Sequence, residues 1–250
     1  MPTFIHGKNT AVYIDEFDLT SYFNDVSTTQ ENDVVESTAF GDTNKTYLTG
    51  LRNGTLSLNG MWAADTDGSD EELVALLGNA TSPIITIRQS TAAIGSGALI
   101  AQANETNYAI TNPVADIVTV TADFECTPNQ TSNLTFAIAG GVQLTTGASI
   151  AHGSLGALSS VDNTASSANG GAGTLHVPTN TVNGNTTIKI QHSANDASWA
   201  DLISFTAVGS SAKTSEIKAV TGTVNRYLRA SASTAGSSGS ITFMIAFARF

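Results

Sequence analysis

The stretch Val118–Cys126 reads VTVTADFEC, with Val118, Val120, Ala122, Phe124 and Cys126 in one phase and Thr119, Thr121, Asp123 and Glu125 in the other. A strict period of two belongs to a strand with one face in a core and the other in water. The same alternation recurs in AVYIDEF from Ala11, TLSLNGMW from Thr55, IITIRQS from Ile84 and LTFAIA from Leu134. Past residue 150 it returns in TLHVPT, TTIKIQHS, ADLISFTAV, SEIKAVTG, NRYLRASAS and SITFMIAFARF, runs separated by Gly, Asn and Ser. Many short strands joined by turn residues predict an all-β fold. One segment breaks the pattern. In GSDEELVALLGNA, Ser69 and Glu72 have capping-box spacing, Leu73, Leu76 and Leu77 recur at helical spacing, and Gly78 supplies a stop. This predicts one short amphipathic helix lying on a sheet.

Between Ile150 and Thr174 the chain turns to small residues, AHGSLGALSSVDNTASSANGGAGT after Ile150, with no sustained period. That shift predicts a flexible link and a boundary near Thr145–Ala151, dividing the chain into a β domain over 1–148 and a second β-sandwich, jelly-roll-like, over 149–250. Charge divides at the same place. Residues 1–150 hold 17 Asp and Glu against 4 Lys and Arg, whereas residues 151–250 hold 4 against 6. An acidic half repels phosphate, which argues against ordinary nucleic-acid binding. The start, MPTFIHGKNT, lacks the basic-then-apolar pattern of a signal peptide, and the longest apolar run, FMIAFA, is too short to span a bilayer, so folding in a cytoplasm is expected.

No catalytic constellation emerges. The histidines His6, His152, His176 and His192 are scattered away from other metal-ligand types, so no metal or other cofactor is expected, and His176 and His192 read as hydrogen-bonded structural residues. The cluster DTDGSDEE, Asp65–Glu72, fails EF-hand spacing because Gly68 follows Asp65 by three positions, so it reads as helix capping and exposure, with weak cation binding as the alternative. Cys126, the only cysteine, sits in the apolar phase of its strand and reads as a buried thiol. In SANDASWADLISF, Trp199 follows a polar turn beside Asn195, Asp196 and Asp201. It is either a packing residue or a platform for a sugar ring. Arg226 and Arg229 fall in different strand phases, as solvated arginines or as a contact to the acidic half.

The segment VVESTAFGDTNKTYLTGLRNGTLSLNGMW, followed by DEELVALLG, and the later IQHSANDASWADLISF and VTGTVNRYLRA, resemble the major tail tube proteins of long-tailed, non-contractile phages that carry an extra C-terminal domain. The resemblance implies a structural virion protein, not an enzyme, assembled in the host cytoplasm into stacked, hexameric rings. In that family a long connection between two early strands reaches a neighbouring copy. The corresponding connection here, Phe40–Gly54, is then ordered by its partners, with Asp42, Lys45, Tyr47, Leu48 and Arg52 in the contact. Thr119, Thr121, Asp123 and Glu125 would line the lumen and let DNA pass without sticking; the alternative is that they face outward on the tube. Tape measure, tail terminator and tail-tip proteins are the partners the resemblance implies, with host surface glycans as candidates for the second domain. The competing reading is a two-domain β-sandwich adhesin or carbohydrate binder with Trp199 as its platform.

Overall fold

A computed structural model describes residues 5–127 and 137–250. Sixteen strands and one α-helix make up the described chain. In the first half these are β1 (Ala11–Ile14), β2 (Phe17–Asp18), β3 (Phe23–Glu36), β4 (Tyr47–Met61), α1 (Ser69–Leu76), β5 (Ile84–Arg88), β6 (Gly97–Thr111), β7 (Thr119–Cys126) and β8 (Ile138–Gln143). The second half contributes β9 (Ser149–Ala151), β10 (Val161–Asp162), β11 (Gly171–Asn180), β12 (Thr186–Ser193), β13 (Ala200–Ser204), β14 (Thr214–Val220), β15 (Tyr227–Thr234) and β16 (Ser240–Arg249). The fold is all-β with a single short helix, as the alternation predicts.

The strands form four stacked layers. The first is β3-β4-β7-β6, and β6 continues past its bulge into the second, β8-β6-β5-β1-β2. Between them lies a core built on Leu56, Leu58, Val120, Ala122 and Phe124 from one sheet and Val12, Ile14, Ile85 and Ile87 from the other, closed at one side by Leu73 of α1. The third layer is β16-β11-β14, and the fourth is β10-β15-β12-β13. Their shared core includes Leu175, Ile188, Ile190, Leu228, Phe243, Ile245 and Phe247.

The second and third layers also pack on each other, and β8 hydrogen-bonds to β16 through Phe247 and Val142. In β16 the positions between the large apolar residues are Met244, Ala246 and Ala248, all buried. They meet Ala11 and Tyr13 of β1 and Ala98 and Ile100 of β6. Small side chains on both faces let the sheets approach closely. The segment expected to be a flexible link is ordered instead: Ile150 pairs with Ile241, and Val161 with Leu228. Lys213 also reaches back to the first half, its Nζ 2.5 Å from Asp67 Oδ2 and over the Phe17 ring.

Other local expectations are revised. AVYIDEF is two strands split by a turn in which Asp15 adopts φ 46°. Ser69 is the first residue of α1, after Gly68, and caps nothing. Its hydroxyl donates to the Met61 carbonyl and accepts from the Ala63 amide, tying the helix to the end of β4. Leu134–Phe136 of LTFAIA lie outside the described residues, and β8 begins at Ile138. Among the described residues no helix is long and apolar enough to cross a membrane.

Candidate functional site: a projecting arm and a polar sheet face

β3 has no sequence period because neither of its faces is covered over most of its length. From Ser27 to Glu36 every residue is exposed, and so is every residue of β4 from Tyr47 to Asn53. The two strands pair as a ribbon from Phe23↔Gly60 out to Glu36↔Tyr47, with a bulge after Asn32. The connection Phe40–Gly54 is therefore not a free loop: its second part, from Tyr47, is strand, and the turn spans 37–46. At about 3.3 Å per residue, the seven residues from Gln30 to Glu36 carry the ribbon about 20 Å past the body. Gly54 sets its root, since a Cβ there would stand 2.7 Å from the Ala137 Cβ.

The arm is polar in its ladder and apolar at several exposed positions. Lys45 Nζ lies 3.0 Å from Glu36 Oε2 across the turn, and Asp42 Oδ2 accepts from the Ala39 amide at 2.8 Å. Arg52 stands opposite Asn32. Tyr47 and Leu48 are 55% and 64% exposed. The five residues predicted for the contact thus lie together on the arm. Sequence reasoning missed four others: Val34, Val35, Phe40 and Leu51 are all more than 60% exposed. Val35 pairs with Leu48, which doubles the apolar surface at that point. At the arm's root a cleft of about 660 Å³ opens between β3 on one side and β1, β5 and β6 on the other, lined by Phe23, Val26, Val12, Ile87 and Leu99.

The same sheet carries the second element. Thr119, Thr121, Asp123 and Glu125 share the face of β7 turned away from the core, as their alternation predicts. Directly opposed residues share a face. The register therefore adds Met61, Asn59, Ser57 and Thr55 from β4, then Asp25, Ser27 and Thr29 from β3. Asp123 accepts from Ser57 Oγ at 2.6 Å and from Asn107 Nδ2 at 2.8 Å, Thr121 donates to Asn59 Oδ1 at 2.7 Å, and Glu125 accepts from Asn53 Nδ2 at 3.2 Å. β3, β6 and β7 contain no Lys or Arg, and the one in β4, Arg52, belongs to the arm. The result is a hydroxyl- and amide-rich surface whose only formal charges are carboxylates, with Asp123 and Glu125 held by neutral donors.

On the core side of the same sheet, Glu105 is buried and its carboxyl oxygens find no partner among the described residues. Burial pushes its pKa up to about 8. Nothing in the sequence marks Glu105 out. Cys126, half-buried near Gly54, has its thiol pushed up to about 12, chiefly by burial. In the fourth layer, Trp199 is half-buried with the Arg229 guanidinium 4.1 Å above its ring. Arg226 forks onto Asp162 at 2.6 Å within its own half, so neither arginine reaches the acidic half.

No family model matches this chain, and no curated protein does. Among solved structures it is similar to a chain in the virion of a native gene transfer agent particle, at 13% identity and TM-score 0.42 over 49% of this chain and 93% of that one. It is similar also to a chain in the tail of an empty gene transfer agent particle of C6 symmetry, at 14% identity and TM-score 0.39 over 49% and 93%. A third similar structure is the SPP1 tail tube, at 7% identity and TM-score 0.41 over 49% and 75%. All three scores fall below 0.5, so the functional reading stands on the arm and the sheet face.

Proposed function

We propose that this protein is a structural, non-catalytic virion subunit that self-assembles into stacked hexameric rings forming a phage tail tube, through which DNA passes without binding. The arm carries this reading. A two-stranded ribbon has no core of its own and is at best marginally stable in water. This one nevertheless exposes Val34, Val35, Tyr47, Leu48 and Leu51. A partner surface that covers those side chains stabilises the ribbon, and another copy of the chain is the partner proposed. Because the arm and the surface that receives it are different parts of the molecule, the contact is head-to-tail and propagates into rings or tubes.

In this reading the face of Thr119, Thr121, Asp123 and Glu125 lines the lumen. A wall of hydroxyls and carboxylates repels a duplex carrying one charge per roughly 1.7 Å, and at physiological salt the repulsion acts within about 8 Å of the wall. Residues 1–148 form the tube and 149–250 cover its exterior. The seam of small residues between the second and third layers supports a rigid outer layer over a tethered one. Tape measure, terminator and tail-tip proteins are the further partners proposed.

Negative-stain microscopy of the purified chain tests the assembly, with rings or tubes expected. Replacing residues 32–52 by an Asn-Gly turn closes the ribbon at the Glu31↔Asn53 pair. That variant is expected to stay monomeric and to unfold cooperatively. Tubes formed by it would rule out the arm as the assembling element.

A further inference from the structure

We propose that the outer face of β10-β15-β12-β13 carries a binding site for a carboxylated sugar, with the Arg229 guanidinium as its anion fork. Tyr227, Arg229, Ser231 and Ser233 of β15 point away from the core, alternating with buried Leu228, Ala230 and Ala232. Opposite them on β12 stand Gln191, Lys189 and Thr187. The face is half-exposed and carries hydroxyl and amide groups.

Arg229 differs from every other cation of residues 151–250. Lys189, Lys213, Lys218 and Arg226 are ion-paired, to Asp201, Asp67, Glu216 and Asp162. Arg249 spends its terminal nitrogens on Ser167 Oγ and the carbonyls of Val224, Asn225 and Arg226. Arg229 has no carboxylate partner among the described residues. Its Nε donates to Gln191 Oε1 at 2.9 Å, and Gln191 Nε2 in turn donates to Asp201 Oδ1 at 2.9 Å. One side of the guanidinium lies on Trp199. The head group is thereby fixed in plane by an amide and a ring, while its terminal nitrogens have no partner among the described residues. A held fork of this kind matches a carboxylate bidentately and loses little entropy on binding.

The surroundings select the anion. Asp162 and Asp201 border the face, each beside its cation partner, so the surroundings add no net positive charge that would favour a phosphate dianion over a carboxylate monoanion. The hydroxyls of Ser231, Ser233 and Thr187 suit a polyhydroxylated ligand. Arg229 occupies one face of the Trp199 ring, so recognition runs through the guanidinium. The site does not depend on assembly, and the absence of binding would leave the arm-replacement result untouched.

The test is titration of the free full-length chain with trigalacturonate, its methyl ester and inorganic phosphate, read by calorimetry at 150 mM salt. Trigalacturonate is expected to bind, and the ester to bind at least about tenfold more weakly, the loss of one charged hydrogen-bond pair. Arg229→Gln should lose about tenfold, and Arg229→Lys, which keeps the charge without the planar fork, most of that. Both variants are checked for an unchanged unfolding midpoint. Equal binding of acid and ester, phosphate binding as tight as trigalacturonate, undiminished binding by a folded Arg229→Gln, or no heat with trigalacturonate up to about 10 mM would each overturn the proposal.

Discussion

His176 Nδ1 lies 2.5 Å from the carbonyl oxygen of Asp15, 161 residues earlier in the chain. A carbonyl only accepts, so Nδ1 carries the proton. Nε2 then accepts from the Thr86 hydroxyl at 2.7 Å, and Thr174 completes the chain by donating to Thr86 at 2.8 Å. This largely buried network joins β11 of the second half to the turn after β1 and to β5 of the first, and it pins the seam between the two middle layers.

The seam is expected to weaken in acid. Burial lowers the His176 pKa from 6.5 to about 4, so the unfolded chain binds a proton that the native one refuses. Stability is therefore full above about pH 6.5, where neither state holds the proton, and is lost as pH falls towards 4. Urea unfolding at pH 7 and pH 4.5 should show His176→Asn losing less stability between the two conditions than the parent chain, by on the order of 2 kcal/mol. Parallel losses in both would show that His176 does not titrate in this way.

Glu105 gives the opposite slope. Its carboxyl is raised from 4.5 to about 8 by burial, so the native state keeps a proton that the unfolded chain releases. Stability therefore falls as pH rises from about 4.5 through 8. Glu105→Gln should match the parent within about 1 kcal/mol at pH 5 and exceed it by on the order of 2–4 kcal/mol at pH 8.5. Thermal melts across that range decide the matter.

Leu48→Asp places a charge opposite Val35 at an exposed point of the arm. It should leave the unfolding free energy within about 0.5 kcal/mol of the parent, because no core contact is lost. Assembly should fail, as read by sedimentation velocity. Normal tubes would show that this cross-strand pair stays in water.

Asp123→Lys combined with Glu125→Lys should turn a repelling wall into an attracting one. Parent tubes are expected to leave linear duplex DNA in the supernatant on pelleting, and the double variant to retain it in a manner that weakens steeply with salt. Retention by neither would place these residues away from the path of the DNA.

Much of the body is legible in the sequence because burial on one face imposes a period of two, and β7, β12 and β15 show it plainly. β3 is illegible for the complementary reason: FNDVSTTQENDVVE has water on both sides through most of its length, so no face selects apolar residues. The predicted arm residues Asp42, Lys45, Tyr47, Leu48 and Arg52 came from a family resemblance, and their apolar companions Val34, Val35 and Leu51 carried no pattern to read. Met244, Ala246 and Ala248 look like the weaker phase of an amphipathic strand, yet they are buried against the first half.

By itself, the sequence determined that the chain is all-β, where the helix lies and how charge divides, since each follows from short-range periodicity and composition. Only the tertiary structure decided that the two halves stack into four continuous layers, that a ribbon leaves the body with its apolar side chains uncovered, and that Arg229 settles on Trp199. Those outcomes depend on which distant faces meet, and a side chain's environment across a seam leaves no trace in its neighbours along the chain.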